Sequence, residues 1–174
     1  GRAARRGLPW VRAWGWAVNL RASIPGDPIG KGRPRVALIA GHARAYTPAK
    51  TAGWEAGAAM VLRSAYGAST PYADPVVVVV EAVARRPKSL LPKSMGGTAP
   101  ASRPPESGRM WRATKPDADN VLKAALDALV RAGVIRDDVQ AVDVRALSRY
   151  AALDEGPCVE IRVEALPAWE QQAG

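Results

Sequence analysis

The residues best suited to chemistry lie in one stretch, Lys115-Pro116-Asp117-Ala118-Asp119-Asn120-Val121-Leu122-Lys123, followed downstream by the pair Asp137-Asp138. Pro116 disfavours helix at Lys115, so the chain is expected to arrive extended. In an extended segment residues two apart point the same way. Asp117 and Asp119 would then stand side by side at the mouth of a helix, with Asp119 also available as its N-cap. Along that helix Leu122, Ala125, Leu126, Leu129 and Val130 follow core spacing, while Asn120, Lys123 and Asp127 share another face. Gly133 reverses the chain, and Asp138 is expected to return to the same flank. Clustered carboxylates repel one another and take up divalent cations. Bound Mg²⁺ can activate water and neutralise phosphate oxygens. Lys123 would add a fixed positive charge against the charge developing on phosphate. Asp-x-Asp pairs also bind calcium or cap helices, so spacing alone leaves those roles open.

Other metal chemistry is narrowed by what the chain lacks. Cys158 is the single cysteine and His42 the single histidine, so an internal disulfide, a cysteine zinc site and a histidine-pair site are excluded. Any metal rests mainly on oxygen ligands, which suit Mg²⁺, with Mn²⁺ as a substitute.

Net charge is +9, from 25 Lys plus Arg against 16 Asp plus Glu. This excess points to a polyanion such as nucleic acid. Its distribution says more. Residues 1–50 carry Asp27 as their only acid, and residues 82–116 carry only Glu106, whereas Asp residues crowd positions 117–143. Two basic blocks flanking an acidic one suit a protein that grips phosphate with one region and loads metal with another. A basic arm and loop on an unrelated core would give the same count.

The elements that must position these residues read as follows. Residues 1–14 form a basic arm, a domain spans 15–166 with a long basic loop at 86–114, and 167–174 form a tail. Alternation predicts a strand over 15–24, and Gly30-Lys31-Gly32-Arg33-Pro34-Arg35 is a glycine- and arginine-rich loop. A short strand follows over 36–40, a turn at Gly41-His42, and a return through Ala45 and Tyr46. Thr47-Pro48 marks a helix start, with Thr47 as cap, running to about Tyr66. The β-branched run 76–84 reads as a central strand covered on both faces. A helix over 119–132, closed by Gly133, precedes strands over 140–147 and 158–165. This order predicts a single α/β domain, with a mixed sheet of about five strands and two main helices. The longest apolar run, Val76 to Val80, is too short to cross a bilayer. The stretch 8–18 contains Pro9, Arg12 and Gly15 rather than an apolar signal core, so a cytoplasmic protein is expected.

The stretch from Lys115 to Asp143, with its Gly-Val-Ile-Arg-Asp-Asp-Val-Gln-Ala-Val-Asp ending, resembles the RusA family of phage-type Holliday junction resolvases. The openings Pro25 to Arg35 and Tyr46 to Thr51 are also similar to that family's. The resemblance implies that Asp117, Asp119 and Asp138 are metal-binding catalytic aspartates and that Lys123 is the essential lysine. It also implies a homodimer that nicks four-way junction DNA symmetrically in the course of recombination and repair, a two-fold protein on a two-fold substrate. A lysine common after the Asp-Asp strand is replaced here by Ser148, with Arg149 beside it as the alternative DNA contact.

Lys31, Arg33, Arg35, Lys115 and Asn120 complete the expected DNA-binding set, since glycines let backbone approach phosphate closely. Arg109, Trp111 and Arg112 are further candidates, with Trp111 either stacking on a base or packing on the core. Asp127 is expected to pair with Lys123 or Arg131, and Asp143 with a neighbouring arginine. Two other functions fit the same residues. One is a catalytically inactive junction-binding protein on this fold. The other is a basic RNA-binding protein whose acidic pair caps a helix.

Overall fold

A computed structural model describes residues 19–33, 35–39, 42–67, 70–100 and 106–166, apart from the side chains of 35, 37–39 and 44–46. The expected basic arm, the C-terminal tail, Arg35's side chain and the first part of the 15–24 strand lie outside the described residues.

Five strands form one mixed sheet in the order β1-β7-β4-β6-β5. Strand β4 (Val76–Ala84) is central, as its β-branched composition predicts. It runs antiparallel to β7 (Cys158–Ala165) and parallel to β6 (Ala141–Tyr150). β1 (Asn19–Pro25) pairs with β7 on one edge, and β5 (Met110–Trp111), which the sequence pattern did not predict, pairs with β6 on the other. β2 (Arg35–Ile39) and β3 (His42–Tyr46) form a hairpin of their own, so the first two predicted strands do not lie in one sheet.

Helices α1 (Ala49–Tyr66) and α2 (Ala118–Ala132) pack on each other and against one sheet face. Leu62, Val121, Leu129, Val78, Val80, Ile161 and Val163 fill the space between them. Burial of these side chains is the main stabilising contribution. Pro48, not Thr47, occupies the position before α1. Both helices end on glycines in the left-handed region, Gly67 at φ 67° and Gly133 at φ 70°, where a Cβ would be strained. The opposite face of β4 is only partly covered: Val77 and Val79 are half-buried, whereas Glu81 and Val83 are buried.

The described parts of the 86–114 segment, 86–100 and 106–114, are more ordered than their composition suggests. They hold two short 3-10 turns, Lys88–Leu90 and Lys93–Met95. Buried Arg86 ties them down, donating to Ala151 O and Glu106 O, both at 2.7 Å, and to Gly108 O. Among the described residues, β6 pairs with β5 only through Arg149 and Tyr150. Among the described residues no helix is long and apolar enough to cross a membrane.

Candidate active site

The turn entering α2 is built around Arg112, which is 6% exposed. Its guanidinium donates to Thr114 O at 2.7 Å, Lys115 O at 2.8 Å and Pro116 O at 3.0 Å. Burial lowers its pKa, yet three carbonyls within hydrogen-bond reach suit the cation. Arg112 N also donates to Ser148 O at 3.1 Å, and Thr114 Oγ1 lies 3.2 Å from Tyr150 Oη. The turn is therefore fastened to the C-terminal end of β6. Lys115–Pro116 is a cis peptide.

Asp117 takes the N-cap position with extended backbone, φ −67° and ψ 148°, and its side chain makes no capping bond. Asp119 lies inside the first helical turn, so it is not the cap, and the two carboxylates are not adjacent members of one extended segment. The helix begins one residue earlier than predicted. Asp119 instead accepts from Lys123 Nζ at 3.3 Å, an exposed pair one turn apart.

Against this turn lies the glycine-rich loop. A Cβ on Gly30 would meet Pro116 Cβ at 3.0 Å and Asn120 Cβ at 3.1 Å, and one on Gly32 would meet Pro48 Cγ at 2.9 Å. Lys31 N donates to Asn120 O at 2.9 Å. The result is an open cleft of about 570 Å³ lined by Gly30, Lys31, Arg33, Lys115, Pro116, Asp117 and Asn120. Five of the expected site residues converge here from loop, turn and helix. Lys31 also pairs with Asp127, which therefore does not pair with Lys123 or Arg131 as expected. Among the described residues, no ion pair joins Arg33 or Lys115 to an acid.

Asp138 is elsewhere. It opens the 3-10 turn Asp138–Gln140 that precedes β6. Asp137 caps that turn: its carboxylate accepts from Val139 N at 3.1 Å, while Gln140 Oε1 accepts from Asp137 N at 3.1 Å. The Val139 N–H and the Asp138 side chain hold the Asp137 carboxyl below the usual range. Gln140 Nε2 then reaches Tyr72 O at 3.0 Å and Asp74 O at 3.1 Å. Asp138 thus stands at the N-terminal end of β6 and Asp117 by its C-terminal end. A ten-residue strand spans roughly 30 Å. Within one chain the two aspartates near α2's start and the one after its end do not meet.

Residues 25–164 match the family Endodeoxyribonuclease RusA. The chain belongs to the RusA family. Uncharacterized protein YqaN of Bacillus subtilis (strain 168) is similar as well, 30% identical over 149 residues that cover 86% of this chain and 98% of that protein. RusA membership makes this an α/β chain of an endodeoxyribonuclease family, and the hard oxygen donors at Asp117 and Asp119 are of the type a nuclease metal uses.

A second charged cleft of this RusA-family chain lies on the sheet face away from the helices, at about 780 Å³. Arg109 is its hub, reaching Glu81 at 2.9 Å and Glu160 at 2.6 Å, and also Glu155. Those carboxylates raise its pKa, with Glu155 contributing most. Arg149 sits 3.4 Å from Glu81, and its guanidinium lies 4.3 Å over the Trp111 ring. Trp111 is exposed and the ring packs on Arg149 rather than the core. Among the described residues, Glu155, Cys158 and Glu160 are the three possible ligands whose atoms lie within 4.8 Å of one another. Arg109 already neutralises both glutamates, and burial pushes the Cys158 thiol up, so this cluster is a poor match for a hard cation. Arg109 and Arg112, expected as DNA contacts, are engaged within the fold. Arg149 does not reach the α2 cleft. Sequence reasoning missed Arg112 as the clamp of the Asp117 turn. It also missed the Asp137–Gln140 capping box, whose Asp-x-x-Gln spacing was visible.

Proposed function

We propose that this chain is a Mg²⁺-dependent, structure-selective endonuclease acting in the cytoplasm as a homodimer, and that it resolves four-way DNA junctions by paired nicks. Each active centre combines Asp117 and Asp119 of one copy with Asp138 of the other. The observation that carries this reading is the division of the acidic set: Asp117 borders the cationic cleft, Asp119 stands on the first turn of the helix that follows, and Asp138 lies at the far end of β6. A two-fold axis exchanges the ends of a strand, so a second copy supplies what one chain lacks.

In this reading Lys31, Arg33, Lys115 and Asn120 seat the DNA backbone beside Asp117, with Arg35 following at the start of β2. Lys123, held beside Asp119, opposes charge developing on the scissile phosphate. Asp117, Asp119 and the second copy's Asp138 would hold Mg²⁺, with Mn²⁺ as a substitute, and the ion would supply an acidified water and stabilisation of the leaving oxygen.

Subunit mixing tests this directly. Asp119→Asn and Asp138→Asn proteins are each expected to bind a synthetic four-way junction without cutting it. Co-folded together, half of the dimers are mixed and each carries one intact centre. Nicking should return to about a quarter of the wild-type level, without paired resolution. EDTA should abolish it. Mixtures that stay inactive count against the shared centre. Junction binding without cleavage by the wild-type chain in Mg²⁺ or Mn²⁺ would favour a catalytically inactive binding protein, a reading the intact Asp117, Asp119, Asp138 and Lys123 disfavour.

A further inference from the structure

We infer that Trp111 is a stacking platform for an unpaired nucleobase, and that it sets this chain's preference for branched over intact duplex DNA. This rests on the nuclease reading above and adds the residue that selects the form of the substrate.

Single exposed apolar side chains are common on proteins. Trp111, 71% exposed, differs in being held rigid. It stands directly opposite Arg149 in the β5–β6 pair, and the Arg149 guanidinium lies 4.3 Å over its ring. Arg149 is itself pinned from behind, with Nε 3.4 Å from the buried Glu81 carboxylate. The next residue, Arg112, is fixed twice. Its N–H donates to Ser148 O at 3.1 Å, and its guanidinium grips the carbonyls of Thr114, Lys115 and Pro116. A cation on one face and a clamped backbone thus set the plane of the ring, while most of its surface stays open to solvent. Stacking on a ring already ordered forfeits little further entropy.

Position and chemistry name the occupant. Successive strand residues point to opposite faces, so Arg112 turns toward the Asp117 turn and Trp111 away from it. The platform therefore stands across the sheet edge from the turn whose Lys115 and Asp117 line the α2 cleft. A DNA strand seated in that cleft brings an adjoining base to this edge. Every base has a π-face, so stacking on an aromatic ring tolerates any sequence. Arg149 beneath the ring adds a cation–π contribution. With Arg149 below and Lys115 on the adjoining turn, the surroundings are cationic, which favours nucleic acid over an apolar protein segment. In an intact duplex the base faces are covered by neighbouring pairs. A base taken out of its stack exposes one, most cheaply where pairing is already broken. The ring therefore discriminates by base exposure, whereas the cleft counts phosphates.

Binding of the full chain to a labelled four-way junction and to a linear duplex of the same arm sequence, both in EDTA so that nothing is cut, tests the platform. Trp111→Ala should keep the wild-type circular dichroism spectrum and raise the junction dissociation constant ~10-fold, the loss of one base–aromatic stack. Duplex binding should not change, nor should the log–log salt slope, since no phosphate contact is lost. Trp111→Tyr should restore the preference and Trp111→Leu should not, because bulk without a π-face cannot stack. An abasic site walked along the junction strands should, at one position, weaken the wild type as much as Trp111→Ala does and leave that variant unaffected. The inference is overturned if junction and duplex weaken equally, if the salt slope falls, if leucine serves as well as tyrosine, or if no abasic position behaves this way. It is overturned too if Trp111→Ala shifts the association state in sedimentation equilibrium, which would make the ring a subunit contact. A wild-type chain that binds neither DNA sinks the nuclease reading and the platform together. Normal junction binding by Trp111→Ala sinks the platform alone.

Discussion

The two charged clefts hold similar side chains and differ in what those side chains face. Around Arg109 the positive charges are enclosed by Glu81, Glu155 and Glu160, so the cleft is balanced by its own acids. Beside α2, Arg33 and Lys115 line open space with Asp117 as the neighbouring acid. A count of arginines cannot separate these cases. What suits the α2 cleft to a polyanion is that two of its three cations, Arg33 and Lys115, form no ion pair among the described residues, and that glycines bring backbone close enough to share the contact.

This contrast can be broken by substitution. Arg109→Met leaves Glu81, 8% exposed, without its main partner. Stripping one member of a buried charge pair should lower stability by about 3 kcal/mol in urea unfolding, with junction affinity per folded molecule unchanged. If affinity falls as well, the far cleft also touches DNA. Arg33→Ala and Lys115→Ala should each weaken junction binding several-fold and reduce the log–log salt slope by about 1, whereas Arg162→Ala in the far cleft should leave that slope unaltered. Equal slopes for all three would erase the distinction. The smallest effect is expected at Asp137. Its pKa is depressed in the fold, so its stabilising contribution is present above the ordinary value of 3.8 and is lost as pH falls through the folded value. Asp137→Ala should lower the melting temperature slightly at neutral pH, and the difference should close in strong acid.

Much of the architecture was legible in the residues. The β-branched run at 76–84 found its central strand because burial selects that composition, and Gly133 ended α2 because the left-handed turn there excludes a Cβ. The cleft was legible too: Gly30 and Gly32 announced a close approach, and Lys31, Arg33, Lys115, Asp117 and Asn120 do line one space. Three things were hidden, each for a physical reason. The inward turn of Arg86 and Arg109 depends on partners far along the chain, and that of Arg112 on carbonyls that only the folded turn at 114–116 presents to it, so local charge read as exposed charge. The two-residue strand β5 is too short to have a period. The gap between Asp138 and the other aspartates is set by the length of α2 and the direction of β6, which nearness in sequence conceals.

Gly30 carries a consequence beyond fit. Since a Cβ there would press on both Pro116 and Asn120 at 3.0–3.1 Å, the cation-bearing loop and the acidic turn touch and are set as one body. If the cleft seats a DNA backbone as proposed, capture would forfeit little conformational entropy, and selection would fall on the curvature of the backbone offered to it.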